Sequence, residues 1–266
     1  MSQHLRVRVI SGIVIGVITI GAGLLGGIWW GGFLLGLAIR AADEMIFLIK
    51  ASGFRPGRLV ALLVATCAFL AVWLRWPPAA AGALASALML GSLALQLRHR
   101  DGAPTADWAL TLLAGGYVGW CAGHLALLRD SPNGLAWVVI AIGATWLADS
   151  AAYLVGSRFG RRKLAPAVSP KKTWEGYLGG ILAAIVGGVV FGFVVPEIGP
   201  VKSILLAMAS GAFGTLGDLS ESMFKRQAHA KDSGDLIPGH GGVFDRMDSV
   251  LWTGVIVFYG SQLLGQ

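Results

Sequence analysis

Nine runs of mostly apolar residues divide this chain, near 8–25, 28–48, 58–75, 79–97, 106–128, 135–156, 174–195, 201–224 and 246–264. A helix of about 20 residues crosses roughly 30 Å of hydrocarbon. In lipid the backbone must satisfy its own polar groups, so only helices or closed barrels span a bilayer. Barrel strands would alternate apolar and polar residues, and stretches such as GIVIGVITIGAGLL and GGILAAIVGGVVFGFVV do not. With 55% of residues hydrophobic and only 13% charged, a water-soluble globule with a polar surface is excluded. The expectation is an all-α polytopic, multi-pass membrane protein with about nine transmembrane helices. Gly12 and Gly16, Gly115, Gly119 and Gly123, and Gly188 and Gly192 recur every four residues, as close helix packing requires. Cys67 and Cys121 lie inside spans without CxxC spacing, so neither a disulfide framework nor a thiolate metal site is indicated.

Positive residues mark the cytoplasmic side of a membrane protein. Arg6 and Arg8 precede the first span, Lys50, Arg55 and Arg58 surround the second connection, and Arg98 and Arg100 sit in the fourth. The sixth carries Arg158, Arg161, Arg162, Lys163, Lys171 and Lys172, whereas the odd connections are poor in charge. This predicts a cytoplasmic N-terminus and an outside C-terminus, in the cytoplasmic (inner) membrane. Residues 1–140 then hold about five spans, and residues 141–266 about four, with cytoplasmic loops at 157–173 and 225–245. The net charge of +7 suits an anionic bilayer surface. Because the basic residues are tied to short loops between spans, the pattern argues against a nucleic-acid partner.

Residues 222 to 248, SMFKRQAHAKDSGDLIPGHGGVFDRMD, hold four acids, four lysines or arginines and two histidines. Cations alone would attract anionic headgroups, whereas interleaved carboxylates also hold a divalent cation. At helical spacing Asp218, Glu221, Ser222 and Lys225 share a face, and so do Asp245 and Asp248. The glycines of PGHGG, including Gly241 and Gly242, can bring backbone N–H groups to an anion, and His240 can contact a phosphate or orient a carboxylate. Mg2+ prefers oxygen ligands and takes one or two carboxylates plus substrate phosphates, which makes Asp218 and Asp245 the first candidates as ligands. Pairing of these acids with Lys225, Arg226, Lys231 and Arg246 is the structural alternative.

Asp149 lies well inside an apolar span, where insertion of a carboxylate costs on the order of 3 kcal/mol, so it needs a partner. Lys171 and Lys172 precede Thr173, a candidate N-cap for the seventh span with Glu175 in its first turn, and a helix N-terminus beside two lysines suits a phosphate. The same basic loop is also what topology alone demands. Arg40 and Glu44, four apart in the second span, can pair for structural or headgroup contact.

The run from Ser222, Lys225 and Arg226 through Lys231, Asp232, Gly234, Ile237 and Pro238 to His240, Gly241, Gly242, Asp245, Arg246 and Asp248 resembles, position by position, the signature of the phosphatidate cytidylyltransferase (CDP-diacylglycerol synthase) family. The DSAAYLVGSRFGRRKLAPAVSPKKTWEG and GDLSES segments resemble it too, so the specific likeness covers roughly residues 149–248, while residues 1–140 resemble the family only in hydropathy and in the acid at Glu44. It implies transfer of CMP from CTP to phosphatidic acid, giving CDP-diacylglycerol and pyrophosphate, with Mg2+ and room for a second, monovalent ion such as K+. Asp218 and Asp245 are then the implied metal-binding aspartates, with Asp248 and Asp149 as further ones. For such a reaction Lys225, Arg226, Lys231 and Arg246 are expected to stabilise the triphosphate and departing pyrophosphate, and Lys171 and Lys172 to help hold a phosphate. A homodimer and purely intramolecular packing of the glycine faces both remain open. The rivals are a CTP-using polyprenol kinase, which shares these parts but moves the γ-phosphoryl group, and a transporter, for which an internal repeat is missing.

Overall fold

A computed structural model describes residues 3–98, 102–239 and 241–265, with side chains from residue 9 onward. Arg100 and His240 lie outside the described residues, as do the side chains of Arg6 and Arg8. Among the described residues there are nine α-helices: α1 (Gln3–Leu25), α2 (Gly27–Ala51), α3 (Arg58–Trp73), α4 (Pro78–Gln96), α5 (Pro104–Arg129), α6 (Gly134–Phe159), α7 (Trp174–Val194), α8 (Pro200–Gln227) and α9 (Phe244–Leu263). Each apolar run folds as one helix. The breaks fall where the chain supplies a residue that helices reject or a turn needs: Gly26 and Gly27 at positive φ, Asn133 in the left-handed region, and Pro78 at the start of α4. By length and composition α4, α5, α6, α7 and α8 can each cross a membrane.

One element departs from the all-helical expectation. Within the basic 157–173 connection, β1 (Lys163–Ala165) and β2 (Ser169–Thr173) form an antiparallel hairpin, with Lys163 opposite Thr173 and Ala165 opposite Ser169. SPKKT has none of the alternation that announces a strand, and its pairing depends on the turn between the strands.

The chain divides into two compact units, both discontinuous in sequence: one takes in the chain to Leu127 together with Phe224–Arg246, the other Leu128–Met223 with Met247–Gln266. In the first, α5 lies on α3 through the glycine series. A methyl group at Gly119 would stand 2.7 Å from Ala65 Cα, and one at Gly123 2.9 Å from the Phe69 carbonyl oxygen. In the second, Gly176 and Gly180 bring α7 onto α6, where a methyl group at either would sit 2.7 Å from the carbonyl oxygen of Ala152 or Ala148. Gly188 packs in the same way on Ser203 of α8, while Gly16 faces open space.

Helix α7 shows how the sequence assigns two faces. Gly176, Gly180, Ala184, Gly188 and Gly192 are buried, whereas Leu178, Leu182, Val186, Val190 and Val194 are exposed along the other side. Small residues admit the neighbouring backbone, and the exposed aliphatic stripe belongs against lipid rather than water. The protein is a helical multi-pass membrane protein.

Candidate active site

In the second unit, α8 and α9 bring three carboxylates together. Asp218 and Glu221 lie three residues apart on α8, and Asp248 stands on the first turns of α9; one oxygen of each lies within 4.8 Å of the others. Gly217 makes this approach feasible, because a methyl group there would be 2.5 Å from the Asp248 carbonyl oxygen. Glu221 is buried, whereas Asp218 and Asp248 are half-buried. Carboxylates this close repel unless a cation sits among them, and three hard oxygen donors suit Mg2+ or Ca2+ better than a soft metal.

Lys172 supplies a charge of the opposite sign, with its Nζ 2.7 Å from Asp218 Oδ2. The hairpin positions it, and Thr173 ends the strand by capping α7, its Oγ1 accepting from the Gly176 N–H at 3.2 Å. Glu175 ties the hairpin's approach, accepting from the Arg161 N–H at 3.0 Å and the Arg162 N–H at 3.2 Å. Asp149, on α6, is exposed and within electrostatic range of Lys172, Asp218 and Asp248. Ser222 donates to Asp218 Oδ1 at 3.3 Å. Lys171 is exposed in the strand.

The first unit holds the remaining candidates around a different kind of acid. Asp245 is buried, and its Oδ2 accepts from the Ser233 N–H, the Ser233 hydroxyl and the Gly242 N–H, each at 2.8 Å. Its Oδ1 takes the Lys225 ammonium at 2.7 Å. The glycine turn thus does present a backbone N–H to an anion, and that anion is the chain's own carboxylate. Gly239 and Gly241 have φ of 77° and 84°, which a side chain would strain. Arg226, Lys231 and Arg246 are exposed.

Glu44 joins this group from α2. Fully buried at 2% exposure, it accepts the Phe244 N–H at 2.8 Å and the Ser233 hydroxyl at 3.0 Å through Oε2, and Oε1 meets Arg40 Nε at 3.2 Å. The Arg40 pairing follows from their spacing on one helix; the bonds to residues 233 and 244 have no local signal. Glu221, in contrast, is foreshadowed by its place three residues after Asp218.

Residues 6–264 match the model of the cytidylyltransferase family. The chain belongs to that family. A phosphatidate cytidylyltransferase of Brucella suis is 35% identical over 263 residues, covering 96% of this chain and 93% of that protein. One from Bacillus subtilis is 40% identical over 149 residues, 55% of each chain, and one from Mycobacterium tuberculosis is 30% identical over 281 residues, 98% of this chain and 84% of that protein. The chain is therefore a nucleotidyltransferase, and the family match runs through the N-terminal helices, where the motif resemblance does not reach.

Proposed function

We propose that this enzyme transfers the cytidylyl group of CTP to phosphatidic acid, forming CDP-diacylglycerol and releasing pyrophosphate. The gathering of Asp218, Glu221 and Asp248 beside Lys172 is the observation that carries this reading, taken with the names of the full-length relatives. The attacking phosphate is already anionic, so no strong base is needed, and catalysis reduces to alignment and charge neutralisation. Asp218, Glu221 and Asp248 would hold a divalent ion such as Mg2+, which when bound neutralises phosphate charge. Asp149 is a further ligand candidate near that set.

Lys172 and Lys171 draw a phosphate group toward the carboxylates, while the exposed Arg226, Lys231 and Arg246 provide positive charge for the triphosphate. Asp245 was the other expected ligand, and with both oxygens engaged we assign it to ordering the loop and Lys225. We read all nine helices as spans in the cytoplasmic membrane, with the N-terminus and the active site toward the cytoplasm, where CTP resides.

The deciding experiment gives detergent-solubilised protein phosphatidic acid, Mg2+ and CTP labelled in the cytidine. Label in the lipid phase with equimolar pyrophosphate is expected, and EDTA should abolish both. Label left in water as CDP, with phosphate gained by a lipid alcohol, would establish a kinase instead.

A further inference from the structure

We infer that Glu44 is a positioning residue for the reaction, fixing the loop between α8 and α9 and, through Ser233, the Asp245–Lys225 pair. The effect on turnover rests on the proposed cytidylyl transfer; the effect on the loop does not. A buried carboxylate is costly unless its oxygens are bonded, and Glu44 spends one of them entirely on the loop: Oε2 accepts from Phe244 N and Ser233 Oγ. Those bonds close separations of 200 and 189 residues.

Ser233 has one hydroxyl hydrogen and two carboxylate oxygens in reach, Glu44 Oε2 at 3.0 Å and Asp245 Oδ2 at 2.8 Å, so the hydroxyl couples the two acids. The loop glycines are fitted to this carboxylate. A methyl group at Gly234 would lie 2.8 Å from Glu44 Oε1, and one at Gly242 would collide with Oε2. Behind Glu44, Arg40 bridges to Asp43 at 3.2 Å, and Arg58 of α3 grips Asp43 at 2.5 and 3.0 Å. The acid is thus held from both sides: α2 and α3 set its position, and it sets the loop's. Residues of the N-terminal helices thereby act on the segment that carries Lys225, Lys231 and Arg246.

The test compares Glu44→Ala and Glu44→Gln in full-length protein in detergent, by amide exchange at Ser233, Gly242 and Phe244 and by kcat per folded molecule. The alanine variant should speed exchange at these amides and lower kcat, each by about 100-fold, as loss of a hydrogen bond to a buried charged group implies. Glutamine keeps an acceptor for the Phe244 N–H, so it should recover about tenfold of either loss. A role confined to global stability would lower the melting temperature and leave kcat per folded molecule untouched, which overturns the inference. So does unchanged exchange at the three amides. Should the alanine variant fail to fold, glutamine decides alone: faster exchange with lower kcat upholds the inference, and wild-type values of either overturn it. A wild type that transfers no cytidylyl group defeats the proposed reaction, while exchange still judges the clamp.

Discussion

Two groups of acids in this chain are made of the same residue types and differ in what surrounds them. Asp245 and Glu44 are enclosed by donors from their own unit, among them three backbone N–H groups, a serine hydroxyl and the side chains of Lys225 and Arg40. Asp218, Glu221 and Asp248 instead converge oxygen against oxygen, with Lys172 and the Ser222 hydroxyl on Asp218 and the Ser249 N–H on Asp248. An enclosed carboxylate suits a structural role, because donors already surround it. Convergent carboxylates suit an added ion, because positive charge relieves their repulsion. Place in a motif does not separate these surroundings, since Asp245 and Asp248 stand three residues apart in the same signature.

The largest effect that can break this contrast is at the convergent set. Asp218→Asn and Asp248→Asn should each lower turnover by about 1000-fold, in the range of lost preorganised electrostatic stabilisation, and should abolish the rise in melting temperature expected when Mg2+ is added to the wild type. Asp245→Asn sharpens it from the other side. It removes the charge that faces the half-buried Lys225 at 2.7 Å and should cost about 2 kcal/mol of stability, read by denaturation in detergent, with the Mg2+-dependent rise retained. A lost Mg2+ response at wild-type stability would place Asp245 among the metal ligands and dissolve the distinction. The smallest effect separates the two hairpin lysines: Lys172→Met should lower kcat/KM by about tenfold and Lys171→Met by less than about threefold, since only Lys172 reaches Asp218. Equal losses would make the hairpin a diffuse positive surface.

Much of this fold was legible because it is local. Apolar runs, positive-φ glycines and prolines act within a few residues, so the helices fall where hydropathy puts them, and Thr173 caps α7 as its position predicts. The four-residue glycine spacing anticipated the α3–α5 and α7–α8 packing, but could not tell that Gly16 meets nothing. Composition marks a face as small, and only a neighbour makes it an interface. The hairpin escaped for a related reason: a strand of three residues and another of five carry too little pattern to register.

The candidate residues divide along the same line. The sequence by itself determined a membrane-embedded helical chain, the family signature at 222–248, and acids spaced to share helix faces, because each follows from residue order and helical period. Tertiary structure alone decided which acids are enclosed and which converge. Glu44 finds Ser233 across 189 positions, Asp248 joins Asp218 and Glu221 through the close pass of α9 at Gly217, and the glycine turn closes on Asp245. These pairings depend on how helices distant in sequence pack, and no periodicity along the chain encodes that.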